Sequence, residues 1–232
     1  MSNNDFQHYT VMAHEAVDAL NCEPGKIYVD ATLGGGGHSE LIQQKIQPDG
    51  QLIAFDIDED AIKASKERLK DYKNLTIVKE SYSNIKKVLQ DLGIKEITGG
   101  IVFDLGASYH QLTKQERGFS FMKDAPLDMR FDRDSDFSAY DVSEYGEEKF
   151  TKRIVKNIIN YRKNKNIVTT GELADIIKNS VPKTKEKIHP ATRTFQAIRI
   201  EVNHELQNIK NTLNEVLTLL SVDAIISVIS FH

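Results

Sequence analysis

Four consecutive glycines, Gly34 to Gly37, lie between an apolar run and a helix-like run in IYVDATLGGGGHSELIQQKI, residues 27–46. Glycine costs backbone entropy and adds no packing, so such a turn implies a backbone that must bend unusually or approach a ligand closely. Two later apolar runs, QLIAFD and GIVFD, close on aspartates, Asp56 and Asp104. Asp56 follows Gly34 by twenty-two residues. A carboxylate at that distance can accept both ribose hydroxyls of an adenosine-containing ligand, which an amide cannot do as well. A phosphate-binding loop would need Gly-Lys-Ser/Thr, and the chain reads Gly37-His38-Ser39, which argues against nucleoside triphosphate hydrolysis. The dinucleotide fingerprint fits only in part: Gly34 and Gly36 match, but Ser39 occupies the place of the third glycine. Taken singly, the glycines could be a mobile connection and each aspartate a turn or cap residue. Together they favour an adenosyl ligand.

Residues of this kind work only if strands deliver them to one edge. Apolar runs at 27–33, 51–57, 74–80 and 99–106 alternate with amphipathic stretches, a rhythm that predicts βαβ crossovers and a parallel sheet. The strands are apolar on both faces, as burial under helices on both sides requires. In such sheets ligands bind beyond the carboxyl ends of the strands, near the switch in strand order. The rhythm changes near Thr113. Residues 116–138 have no clean period and read as an ordered loop. YGEEKFTKRIVKNIINYRKNK and TTGELADIIKNSV read as helices, the second capped by Thr169 or Thr170. Residues 189–220 read as one long helical region with Pro190 near its start, and 223–232 as a fifth strand. The expected fold is therefore α/β, a doubly wound sheet with a helical insertion between strands four and five.

The 232 residues, 40% of them hydrophobic, suffice for a full core, and the formal net charge of −4 gives no global pointer to nucleic acid. The charge is uneven, however. From Lys149 to Ile200 there are thirteen Lys or Arg and three acids, which suits either a polyanion-facing region or two solvated helix faces. A single cysteine, Cys22, rules out an internal disulfide and speaks against a thiolate zinc site. The seven histidines show no ligand spacing, so no metal is expected. Without a signal-peptide pattern or an apolar run of spanning length, a cytoplasmic protein with no membrane partner is expected.

DATLGGGGHS, DLGASYHQL, ERGFSFMKDAPLDMR, YGEEKF and HPATRTFQAIRIEVNHEL resemble the bacterial methyltransferases that act on N4 of a cytosine in 16S ribosomal RNA. HYTVMAHEAVDAL and VISFH are similar too, so the likeness spans about His8 to His232. The resemblance implies a Rossmann-like class I methyltransferase sheet with a helical insertion, and S-adenosylmethionine as methyl donor. The implied domains are 1–112 with 209–232 for the donor and 113–208 for the RNA. By position, the implied donor-binding residues are Gly36, Gly37, His38, Asp56, Tyr82, Asp104 and Gln111, with Tyr82 standing where the family usually has phenylalanine. The glycine turn would then hold the amino-acid end of S-adenosylmethionine rather than a pyrophosphate.

Methyl transfer to an exocyclic amine needs positioning and an acceptor for the proton. The Asn/Asp-Pro-Pro-aromatic segment common among amino-methyltransferases is missing from the chain. Its positional equivalent, DLGASYHQ, offers Asp104 or Ser108 with no ground for choosing, so no catalytic residue is assigned. For the RNA, Arg117, Phe119, Phe121 and Arg130 interleave charge and aromatics, while His189, Arg193 and Arg199 lie on or near the last helical region. Phe119 and Phe121 also suit pinning the loop to a core, and at least one of the arginines is expected to be structural.

Three departures from the family pattern stand out. Ala107-Ser108-Tyr109-His110-Gln111 replaces two serines and a proline before the glutamine, and the stretch between Val142 and Tyr145 is shorter. The chain stops at ISFH, where relatives continue, which predicts an apolar last strand without its neighbour and a possible homodimer through that edge. A truncated remnant that binds donor or RNA without transferring methyl groups is the alternative function, and a nicotinamide-dependent oxidoreductase a third.

Overall fold

A computed structural model describes residues 10–136, 138–139, 151–182 and 188–230. The predicted helix start YGEEKF, the shortened stretch near Val142 and the terminal FH lie outside these residues. The chain forms two compact units, Met1–Tyr109 with Gln207–His232, and His110–Leu206.

The first unit holds five parallel strands: β1 (Ile27–Asp30), β2 (Gln51–Asp56), β3 (Leu75–Lys79), β4 (Gly100–Asp104) and β5 (Ile225–Ile229). Their order is β3-β2-β1-β4-β5, parallel in every pair. The chain thus runs outward from β1 to β3, then returns to the far side of β1. This reversal places the switch in strand order between β1 and β4, where a crevice forms at the carboxyl ends. Alternation along each strand divides the core. Val29, Ile53, Phe55, Ile101 and Phe103 pack one face with Ile85 and Leu89 of α4 (Ile85–Asp91). Tyr28, Leu52 and Val102 pack the other with α1 (Ala13–Ala19) and α2 (Gly37–Ile46). Both edge strands are only half-buried, and Val228 of β5 is 48% exposed.

α3 (Glu59–Arg68) follows β2, started by Asp58, whose carboxylate accepts from the Asp60 amide. The short α5 (Tyr109–Thr113) opens the second unit, which also holds α6 (Thr151–Arg162), α7 (Thr170–Ser180) and α8 (Ala191–Val202). Thr169, not Thr170, caps α7, in a reciprocal box with Glu172. Thr170 instead turns inward, its hydroxyl accepting from the Ala125 amide and so tying the long loop to the helix.

The single helical region expected at 189–220 is two helices, α8 and α9 (Glu205–Val216). His204 between them is left-handed, with φ of 50°. Asn203 ends α8: its Nδ2 donates to the carbonyls of Arg199 and Met129, and its Oδ1 accepts from the Phe131 amide. Periodicity missed this break because the apolar pattern continues across it; the loop partners of Asn203 decide it. No helix among the described residues is long and apolar enough to cross a membrane.

Candidate functional site

Three carboxylates stand at the carboxyl ends of adjacent strands in the first unit: Asp56 on β2, Asp30 on β1 and Asp104 on β4. The glycine turn after β1 lies among them, and it is an ordered structure. Gly34 and Gly36 take φ of 50° and 77°, where a side chain is strained. The Gly34 amide donates to Asp56 Oδ2 at 2.8 Å, and the Gly34 carbonyl accepts from the Ser65 hydroxyl of α3. Arg68, also on α3, donates to the Gly35 carbonyl and grips Glu40 of α2. A mobile connection would have none of these ties.

The helix α2 begins inside the glycine run, at Gly37. A Cβ there would overlap the Thr10 hydroxyl, so a side chain at this position requires Thr10 to move. Its first intrahelical bond runs from the Glu40 amide to the Gly36 carbonyl. The Ser39 amide is accepted by Asp30. The amides of Gly37 and His38 have no acceptor among the described residues, although both residues are buried. Unpaired buried donors at a helix N-terminus suit a carboxylate or phosphate oxygen. The His38 ring points elsewhere: Nε2 is 3.2 Å from the Val11 carbonyl, so the ring ties the N-terminal segment to the turn.

Asp56 is half-buried, and its second oxygen accepts from the Asp58 amide at 2.8 Å. Burial pushes this carboxyl up to about 6, against the lowering by the Asp58 and Gly34 amides. Asp104 is also raised, by burial first; the charge of Asp30 adds to this and His38 opposes it. The Asp104 amide donates to Thr32 Oγ1 at 2.7 Å. Tyr82, in a single turn after β3, sets its ring edge-on against Phe103, with centroids 5.8 Å apart. Gln111 belongs to the second unit, on α5. Six of the seven expected donor-binding residues therefore lie in one unit, five of them at strand ends or in the glycine turn and Tyr82 just beyond β3.

Asp30 was not singled out from the sequence. It is fully buried, accepting from the Thr32 amide at 3.0 Å and the Ser39 hydroxyl at 2.7 Å, and burial raises its pKa while His38 opposes the rise. The signal was available: an acid ending an apolar strand directly before the glycines. Thr32 joins the two acids, its amide on Asp30 and its hydroxyl on the Asp104 amide.

In the second unit most candidate RNA contacts are spent internally. Arg117 is buried and donates to the carbonyls of Arg130 and Phe131. Phe119 is buried and stacked on Phe131 at 5.4 Å, so it pins the loop. Arg130 grips Asp128 through two nitrogens, and Arg199 does the same with Glu205 across the α8–α9 break. Phe121, His189 and Arg193 remain at least partly exposed.

The fold is a parallel α/β sheet with a glycine turn and carboxylates at its strand ends, and the chain belongs to the MraW methylase family, whose model matches residues 5–232. Ribosomal RNA small subunit methyltransferase H of Clostridium botulinum, from strains Loch Maree and Kyoto, is 46% identical over 98% of this chain and 78% of each relative. Among solved structures, an rRNA methylase from Streptococcus thermophilus aligns with a TM-score of 0.35 at 24% identity, over 43% of this chain and 58% of the other.

Proposed function

We propose that the chain is an S-adenosylmethionine-dependent methyltransferase acting, in the cytoplasm, on N4 of a cytosine in small-subunit ribosomal RNA. In this reading residues 1–112 and 209–232 hold the donor and residues 113–208 recognise the RNA. The observation that carries it is the pair of amides of the buried Gly37 and His38, without an acceptor among the described residues and set between strand-end carboxylates in a chain of a methylase family. The relatives' name supplies the small ribosomal subunit.

Bound S-adenosylmethionine supplies a methyl group made electrophilic by its sulfonium. The chain's own residues divide its recognition by chemistry. The Gly37 and His38 amides, with Gly36 opening the turn, suit the carboxylate of the methionine end. Asp104 suits its ammonium. Asp56 takes backbone amides from Gly34, Ile57 and Asp58, and a carboxylate has lone pairs beyond these three, which suits the ribose hydroxyls. Tyr82 would flank the adenine; Gln111, the seventh residue implied by the resemblance, belongs to the second unit.

The cytosine amine is a weak nucleophile because its lone pair is delocalised into the ring. Positioning therefore carries most of the rate, and the amine must shed a proton as its new bond to carbon forms. Asp104, which ends β4, and Ser108, four residues on, are the acceptors on offer. Thr32 fixes the first of them through its backbone.

A thermal melt with and without S-adenosylmethionine tests donor binding, with a nicotinamide dinucleotide as control. At a hundred times the dissociation constant, binding stabilises by about 2.7 kcal/mol. No shift, or an equal shift with the dinucleotide, contradicts the reading. The half-buried β5 edge supports pairing with a second copy about a two-fold axis. Sedimentation showing only monomer at micromolar concentration excludes that dimer.

A further inference from the structure

Three aromatic rings in the second unit form a graded stack from core to solvent. Phe195, on α8, is 4% exposed. Phe121 meets it edge-on, with centroids 5.0 Å apart. His189 lies over Phe121 at 4.6 Å, tilted by 31°, and is itself exposed. Packing explains the inner two rings, because burying Phe195 and half-burying Phe121 removes apolar surface from water. It does not explain the outermost one.

His189 is also held in place. Its Nδ1 accepts from the Ala191 amide at 3.2 Å, a bond that orients the ring just before α8 begins. An acceptor Nδ1 puts the proton of the neutral ring on Nε2, leaving a donor on the other edge. The ring's outer face makes no aromatic contact among the described residues. Among the described residues next to the two rings in sequence, apolar side chains and cations are exposed. Met122, next to Phe121, is 83% exposed, and Ile188, next to His189, is 54% exposed. Lys123 and Arg193, one on each ring-bearing segment, are exposed cations. Asp124, three residues after Phe121, spends an oxygen on the Gly171 amide. The arginines first in line for RNA, Arg117, Arg130 and Arg199, are bound inside the unit and cannot supply this contact.

We propose that the outer face of His189, backed by Phe121 and Phe195, is a stacking platform for one unpaired nucleobase of the RNA substrate. An oriented, exposed ring with cations beside it matches the recurrent way single strands are held, by π-stacking plus backbone charge. The thirteen cations against three acids from Lys149 to Ile200 supply the complementary charge. The proposal rests on the reading of the chain as an RNA-directed methyltransferase.

The chain contains no tryptophan, so His189→Trp installs a single fluorophore at the platform. Its emission is expected to be quenched by a single-stranded RNA oligonucleotide and not by the same sequence closed into a duplex. His189→Ala should weaken single-strand binding at least about fivefold, the lower end of what losing one stacked base costs. His189→Phe should restore it, whereas His189→Leu, which keeps the apolar contact with Phe121 but has no π-face, should not. The slope of affinity against salt should stay unchanged, because no phosphate contact is removed. Wild-type affinity in both the Ala and Leu variants, equal quenching by duplex, or no affinity of the wild-type chain for single strands overturns the platform. Failure of the methyltransferase reading would show separately, as a melt that S-adenosylmethionine does not move.

Discussion

Asp56 offers a prediction in which burial and hydrogen bonding pull in opposite directions. Its carboxyl rises from 3.8 to about 6 on folding, because burial outweighs the three backbone amides, of Asp58, Gly34 and Ile57, that favour the anion. The folded value lies above the unfolded one, so the folded state holds the proton more tightly. Its contribution is therefore fully present below about pH 3.8 and is lost as pH rises through about 6. A shift of about two units corresponds to about 3 kcal/mol, of which about 2 kcal/mol falls between pH 4.5 and 7.5. Asp56→Asn removes this titration. It also leaves either the Gly34 or the Asp58 amide facing an NH2 group, a cost of about 1–3 kcal/mol that does not vary with pH. Urea unfolding of both proteins across that pH range isolates the effect. The stability of wild type relative to the variant should fall by about 2 kcal/mol as pH rises. Hydroxyl donors from a ribose would favour the anion, so S-adenosylmethionine should bind the wild type more tightly as pH climbs through about 6. A difference that is flat, or that grows with pH, refutes the argument, since it would mean that the amides rather than burial control this carboxylate.

Gly37→Ala should cost about 1–3 kcal/mol in urea unfolding, because its Cβ would overlap the Thr10 hydroxyl; adding Thr10→Gly should recover most of the loss. Arg199→Ala should destabilise the chain by about 3–5 kcal/mol, since it strands the nearly buried Glu205 carboxylate, and Glu205→Gln alongside it should give part of that back. Burial pushes the Cys22 thiol up to about 11, so a disulfide-exchange reagent at pH 8 should label it slowly in the native protein and rapidly in urea.

The parallel sheet was readable from the sequence because strands buried on both faces are written as nearly continuous apolar runs, and IYVD, QLIAFD and GIVFD end on acids. The glycine run and Asp56 were conspicuous by residue type and spacing. Asp30 was not, because its role depends on Ser39 and Thr32 turning back to it, and side-chain direction has no signature in spacing. The break at His204 was hidden for a similar reason: Asn203 ends the helix by bonding Met129 and Phe131, more than seventy residues away. Arg117 and Arg130 looked like phosphate ligands because an arginine bound to a buried carbonyl and one bound to a phosphate read alike in a sequence. Phe121 and Phe119, two residues apart, part company only in three dimensions, one buried on Phe131 and the other facing His189.

The central claim is methyl transfer to small-subunit ribosomal RNA. Incubating the chain with small subunits lacking this modification and methyl-labelled S-adenosylmethionine, then digesting the RNA to nucleosides, tests it directly. The account predicts label in N4-methylcytidine, lost in an Asp56→Ala variant that still melts cooperatively. Label in another nucleoside, or no label from a wild-type chain whose melt shifts with S-adenosylmethionine, would contradict it.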